Sequence, residues 1–132
     1  MKMKKKIYLI DSQDAVYGNM AYDLASLIDD VRIKTSQNLK DKIFNLFINL
    51  NNSLDKNKVK NDFEILSVLR NLKIIGIFTR LAVRDRKKKY MKMIPYAWKM
   101  IEHRVSKNSC FEDLEQTLNK YFTKTIRLKK WK

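Results

Sequence analysis

The sequence predicts a mostly helical chain with one short strand near its N-terminus. Three observations carry this. The 132 residues contain only 2 Gly and 1 Pro, too few turn formers for a many-stranded sandwich or barrel. Apolar residues recur at helical spacing through most of the length. Hydrophobic residues make up 45% of the chain, enough for a core in a chain of single-domain length.

The elements follow in order. Residues 5–11, Lys5-Lys6-Ile7-Tyr8-Leu9-Ile10-Asp11, read as a strand that a polar cluster from Asp11 to Asp14 ends. No second strand is evident to pair with it. Leu24, Leu27, Ile28 and Val31 make an amphipathic helix over 21–32. Thr35 or Ser36 caps a second helix running to about Leu54, with Leu39, Ile43, Leu46, Phe47 and Leu50 as its apolar face. Asp55 to Lys60 reads as a polar connector. The longest pattern, 60–84, has an apolar face too wide for a single stripe, as expected of a helix buried on more than one side. Gly76 inside it points to close approach of a neighbouring helix. Arg84 to Lys92 is a basic loop, Pro95 opens a helix carrying Tyr96, Trp98, Ile101 and Val105, and Ser109 caps a last helix that buries Phe111, Leu114, Leu118 and Phe122. The tail 123–132 is basic and expected to fray.

Composition excludes several classes. One Cys rules out an intrachain disulfide, and one Cys with one His rules out a four-ligand structural zinc site. The apolar stretch after Met1-Lys2-Met3-Lys4 is four residues, too short for a secretion signal. The longest later apolar run, Ile74 to Phe78, falls far below the roughly 18 residues of a membrane span. A cytoplasmic protein is expected. The net charge of +15 favours polyanions. However, 22 Lys against 7 Arg, with 11 Asn, 13 Ile and only 5 Ala, is also the bias of an AT-rich genome.

Chemistry concentrates in the first quarter. A strand ends in Asp11, a loop holding Asp14 and Gly18 follows, and a helix starts near Asp23. A carboxylate at a strand end is suited to a hard divalent cation that bridges phosphates, and equally to a plain turn. An Asp in the first helical turn can accept backbone N–H groups and suits the helix dipole. Elsewhere, Arg84, Arg86, Lys87, Lys88 and Lys89, with Tyr90 beside them and Trp131 in the basic tail, are candidate polyanion contacts or simply a solvated loop and tail. His103 and Cys110 lack an orienting acid and make a poor nucleophile pair.

Two stretches carry a resemblance. The first is Ile10-Asp11-Ser12-Gln13-Asp14-Ala15 followed by Gly18-Asn19-Met20-Ala21-Tyr22-Asp23-Leu24-Ala25-Ser26-Leu27, and the second is Arg70-Asn71-Leu72-Lys73-Ile74-Ile75-Gly76-Ile77-Phe78-Thr79-Arg80-Leu81. Together with Arg84-Asp85 and Tyr90 to Pro95, they resemble the aminoglycoside/choline phosphotransferase family of protein-kinase-like fold. The similarity is to its branch acting on N-acetylmuramate and N-acetylglucosamine at the anomeric position, and it covers only that branch's C-terminal part.

The resemblance implies the helical C-lobe remnant of a kinase-like fold. It implies a single partial domain over 1–132: a metal-binding strand-loop-helix at 5–35, a helical subdomain at 36–122 and a basic tail at 123–132. Asp11 matches the magnesium-binding Asp. Asp23 matches the helix-start Asp that supports the catalytic loop, with Gly18 shaping the loop before it. Asp14 belongs to the motif with no assigned role. Mg²⁺ and ATP are the implied cofactors and an amino sugar the implied substrate. Ser12 stands where the family has an aromatic, and Asn19-Met20 where it has His-Pro. No Gly-rich loop and no H-x-D-x-x-x-x-N motif occurs, and the one His, His103, is followed by Arg104-Val105. The expectation is therefore no catalytic residue in this chain and no activity alone. The open alternatives are half of a split kinase completed by a complementary N-terminal chain, or a small basic helical module that binds nucleic acid.

Overall fold

The computed structural model describes residues 17–129. The expected strand at 5–11, with Asp11 and Asp14, lies outside them, as does Trp131. Among the described residues the chain is helical, without a strand.

Six α-helices follow in order: α1 (Ala21–Ile28), α2 (Gln37–Leu50), α3 (Lys56–Val83), α4 (Ile94–Val105), α5 (Glu112–Tyr121) and the single-turn α6 (Lys124–Arg127). Short 3-10 helices, Lys88–Met93 and Ser109–Phe111, precede α4 and α5. The 28-residue α3 is the spine, with α1 against one part of it and α4 against another, as its wide apolar face requires.

Three apolar clusters form the core. Ala21, Leu24, Ala25 and Ile28 of α1 meet Phe63 of α3, with Ile43, Phe44 and Phe47 of α2 packed on the outside. Val68 of α3 joins Ile94, Trp98, Ile101 and Val105 of α4 to Phe111 and Leu118. Val31, Ala97 and Met100 form a third cluster, which shares Ile75 and Phe78 with the second.

Several boundaries differ from the sequence reading, each for a local reason. α1 stops at Ile28 rather than at residue 32, because Asp29 turns its carboxylate into the core and the Asp30 side chain accepts the Arg32 backbone N–H at 2.8 Å, closing a turn. Ser36 is the α2 cap, accepting from the Leu39 N–H at 3.4 Å. α2 ends at Leu50, where the Asn51 side chain donates to the Phe47 carbonyl at 2.8 Å. α3 starts four residues early. Asp55 is its N-cap, accepting from the N–H groups of Asn57 (2.8 Å) and Lys58 (3.2 Å), so the polar connector is the first turn. The basic loop winds into the Lys88–Met93 turn, where Tyr90 packs on Phe78 with ring centroids 5.1 Å apart. Asn108, not Ser109, caps the turn before α5, accepting from the Cys110 N–H at 3.1 Å.

The inward face of α2 matches the expected one only in part: Ile43 and Phe47 face inward as expected, but Leu39, Leu46 and Leu50 are exposed, and buried Lys40 and half-buried Phe44 complete the stripe. The basic tail does not fray at its start. α6 delivers Arg127 into the core, where Nη1 donates to Glu102 and Nη2 to Asn119, both at 2.9 Å, and the guanidinium lies over the Trp98 ring.

Gly76 lies on the exposed side of α3, and a methyl group there would meet nothing within 4 Å. Close helix approach does not explain it. Gly76→Ala should therefore stabilise the protein by about 1 kcal/mol, the helix-propensity difference, raising the thermal midpoint by several degrees. Paired melting curves of the two proteins check this; a lower midpoint for the variant would mean that the position is in contact after all.

Candidate functional site

The sequence-predicted residues and the most structured polar site lie at opposite ends of α1. Gly18 is exposed just before the helix. Asp23 is exposed in the first turn and makes no hydrogen bond among the described residues. The capping role considered for it falls to Asn19, whose Oδ1 accepts the Ala21 N–H at 2.9 Å while its Nδ2 donates to Asp62 at 2.8 Å. Arg84, Arg86, Lys87, Lys88 and Lys89 stay together on one exposed connector. Arg84 is engaged by Asp85 at 2.6 Å, and Arg86 adopts a left-handed backbone with φ of 56°. His103 and Cys110 are both exposed, and neither is paired with an acid.

The site that sequence reasoning missed is built around Asp29, the residue that ends α1 and is fully buried. Lys40 of α2 donates from Nζ to Oδ1 at 2.8 Å. Ser67 of α3 donates its hydroxyl to Oδ2 at 2.5 Å and accepts from Nε of Arg104 at 2.7 Å. Arg104 of α4 closes the set by donating from Nη2 to Oδ2. Arg70 donates to the Asp29 backbone carbonyl at 3.3 Å. Below, Asn71 donates to the Ser67 carbonyl at 2.9 Å, and the Arg104 guanidinium lies over the Phe63 ring, 4.6 Å from its centroid.

The electrostatics are those of a charge held by its partners. Burial pushes the Asp29 carboxyl upward, but the charge of Arg104 and hydrogen bonds from Lys40, Ser67 and Arg104 outweigh it and leave the group below its ordinary value. His103 is pushed down, first by partial burial and then by the positive charges of Lys107, Arg104 and Lys40.

A cavity of about 300 Å³ opens on this cluster between the start of α2 and the outer face of α4, lined by Asp29, Gln37, Lys40, Lys99, His103 and Arg104 among others. A second, also about 300 Å³, lies on the other side of the same Gln37–Lys40–His103–Arg104 wall and reaches Lys60, Glu64 and Lys107. Among the described residues no group of three His, Cys, Asp or Glu side chains could hold a metal ion, and no helix is long and apolar enough to cross a membrane.

Asp29 sets an acid limit on stability. Its native pKa lies below the unfolded value of 3.8, so its contribution is present above that value and lost as the pH falls through the native one. Asp29→Asn leaves two buried cations facing a neutral amide, which costs about 3–5 kcal/mol at neutral pH. Urea unfolding at pH 7 and pH 3 should show the gap between wild type and variant narrowing in acid. A gap independent of pH would mean that shape, not charge, is what the variant loses.

Comparison with known proteins places this geometry in context. No family model and no solved structure matches the chain. Three curated proteins do, each named N-acetylmuramate/N-acetylglucosamine kinase. That of Caulobacter vibrioides is 30% identical over 108 residues, 82% of this chain and 28% of the relative. That of Neisseria meningitidis is 35% identical over 95 residues, 66% of this chain and 28% of the relative. That of Pseudomonas aeruginosa is 27% identical over 118 residues, 83% of this chain and 34% of the relative. The chain thus spans about a third of the length of the curated relatives it matches. The chain is similar to proteins named N-acetylmuramate/N-acetylglucosamine kinase, over a stretch that fits a C-terminal fragment of them.

Proposed function

We propose that this chain supplies the metal-binding segment and the helical wall of an ATP- and Mg²⁺-dependent kinase that phosphorylates an amino sugar at its anomeric hydroxyl in the cytoplasm. The observation that carries the reading is the similarity to three kinases of one name over 66–83% of the chain; Asp11, Gly18 and Asp23 stand in this sequence in the order of the motif it resembles. Asp11 is the proposed magnesium ligand. A Mg²⁺ ion takes six oxygens, so one carboxylate must be joined by phosphate oxygens, water and ligands from elsewhere. Bound there, the ion would neutralise charge on the transferring phosphoryl group.

The chain's own residues position and do not transfer. Asp23, exposed and without a partner among the described residues, is free to accept hydrogen bonds from the backbone of a catalytic loop. At Gly18 a Cβ would meet nothing within 4 Å among the described residues, so its part in the motif is not one of packing. Asp14 shares the motif without an assigned role. The sequence holds neither a catalytic H-x-D loop nor a Gly-rich phosphate-covering loop, so the base and the nucleotide cradle come from outside these 132 residues.

A second reading rests on the five exposed cations between Arg84 and Lys89. As a basic module the chain would bind nucleic acid without sequence preference, with an affinity that falls steeply as salt rises.

The kinase reading is tested by assay. The 132-residue chain with ATP, Mg²⁺ and either N-acetylmuramate or N-acetylglucosamine should give no turnover. Mixed with a complementary chain carrying the two missing loops, it should phosphorylate the sugar at an ordinary kinase rate, about 1–100 s⁻¹. Asp11→Asn should then reduce activity to background while the two chains still assemble, and Asp23→Asn should reduce it less. Near-wild-type rates with Asp11→Asn would make Asp11 a turn residue and remove the centre of this reading.

A further inference from the structure

The cluster around Asp29 has one positive charge too many. Lys40 and Arg104 are both largely withdrawn from water, with side chains 9% and 12% exposed, and they share a single carboxylate. One cation would neutralise Asp29. A second buried cation adds its own desolvation cost without an anion of its own, and buried charge in excess is unfavourable unless something compensates it.

The hydrogen-bond inventory agrees. The Lys40 ammonium has three N–H donors. One meets Asp29 at 2.8 Å, another the Met100 sulfur at 3.4 Å, a weak acceptor, and the ammonium stands 5.8 Å from the centroid of the Tyr96 ring. Arg104 has five N–H donors, of which one goes to Ser67 and one to Asp29, with no acceptor among the described residues for the rest. Both side chains line the cavity between α2 and α4, and exposed Lys99 adds a third cation at its mouth. Among the described residues Asp29 is the one carboxylate on that lining, and its oxygens are already taken.

We propose that this cavity binds a small oxyanion, a carboxylate or a phosphate group, through Lys40, Arg104 and Lys99. At about 300 Å³ it is at the lower end of the range for small-molecule sites. Its cations lie at the base of a concavity, unlike the open row from Arg84 to Lys89, so it suits a compact anion rather than a polymer backbone. Gln37 on the rim offers an amide to a neighbouring hydroxyl or carbonyl of the same ligand. The proposal does not rest on the kinase reading, because every residue in it belongs to the described helices and the site is complete within this chain.

The test uses the full 132-residue chain, labelled with ¹⁵N, at constant ionic strength set with NaCl. Sodium phosphate and sodium acetate are titrated separately. Saturable shifts should centre on the amides of Gln37, Lys40, Lys99 and His103, and stay absent at Lys87 to Lys89. Response to phosphate alone, to acetate alone or to both assigns the preferred oxyanion within the proposal. Lys40→Met keeps the stem and removes the charge, and should weaken binding at least tenfold. Lys99→Ala changes an exposed side chain, keeps the fold intact, and should weaken binding severalfold. Linear, non-saturating shifts with both anions would overturn the proposal. So would saturation that neither substitution alters.

Discussion

A carboxylate with no exposure to water has to be met on every side, and meeting Asp29 fixes how four helices stand. The residue ends α1, its oxygens take Lys40 from α2 and Ser67 from α3, and Arg104 from α4 bridges Ser67 and Asp29. None of these bonds is local. Asp29 and Arg104 are 75 residues apart, and Asp29 and Ser67 are 38 apart. Apolar packing alone would tolerate sliding or rotation of a helix, because it is non-directional. A set of converging hydrogen bonds does not. Each is directional, and each left unmade exposes a buried charge to a cost of several kcal/mol.

The same constraint explains the phase of α2. Rotating the helix to bury Leu39, Leu46 and Leu50 would carry Lys40 away from Asp29. The observed phase keeps Lys40 inward with Ile43, Phe44 and Phe47, and leaves those three leucines exposed. Burying a leucine is worth roughly 2 kcal/mol, so the exposed trio is a sizeable sacrifice. Rotation would forfeit both the packing of Ile43, Phe44 and Phe47 on the α1–α3 cluster and the Lys40–Asp29 pair, whose loss alone costs about 3–5 kcal/mol.

Much of the fold is legible in the sequence, and its failures have a common cause. α3, α4 and α5 follow from apolar spacing, Ser36 from its place before an amphipathic run, and Pro95 from its fit to a first helical turn. What is not legible is a polar residue doing core work. Lys40 sits at i of the stripe completed by Ile43, Phe44 and Phe47, and Arg104 at i+7 of the one begun by Ala97, Met100 and Ile101. Ser67 follows Phe63 by four residues and Asn71 follows Ser67 by four. Asp29 stands four after Ala25. Each occupies a core position on its own helix, so the signal was present. It is discarded whenever Lys, Arg and Asp are assigned to the surface by type alone. Arg127 escaped for the same reason, hidden among the lysines of the tail. The motif at Asp11, Gly18 and Asp23 is the reverse case. It stands out as a sequence match, while its two described members are exposed and unremarkable in packing.

The two kinds of site are joined by a rigid element. α1 is eight residues long, about 12 Å at 1.5 Å per residue. Its first turn carries Asp23 and receives the segment from Gly18, and its end carries Asp29. An eight-residue helix is too short to be stable by itself, so its direction is set by what holds it. At one side Ala21, Leu24, Ala25 and Ile28 lie against Phe63 and Leu66 of α3. At its end the Asp29 carboxylate is pinned by α2, α3 and α4. Asp29 therefore aims the start of α1, and with it Asp23 in its first turn. A buried charge at one end of a short helix is in this way the anchor for the exposed Asp23 at the other.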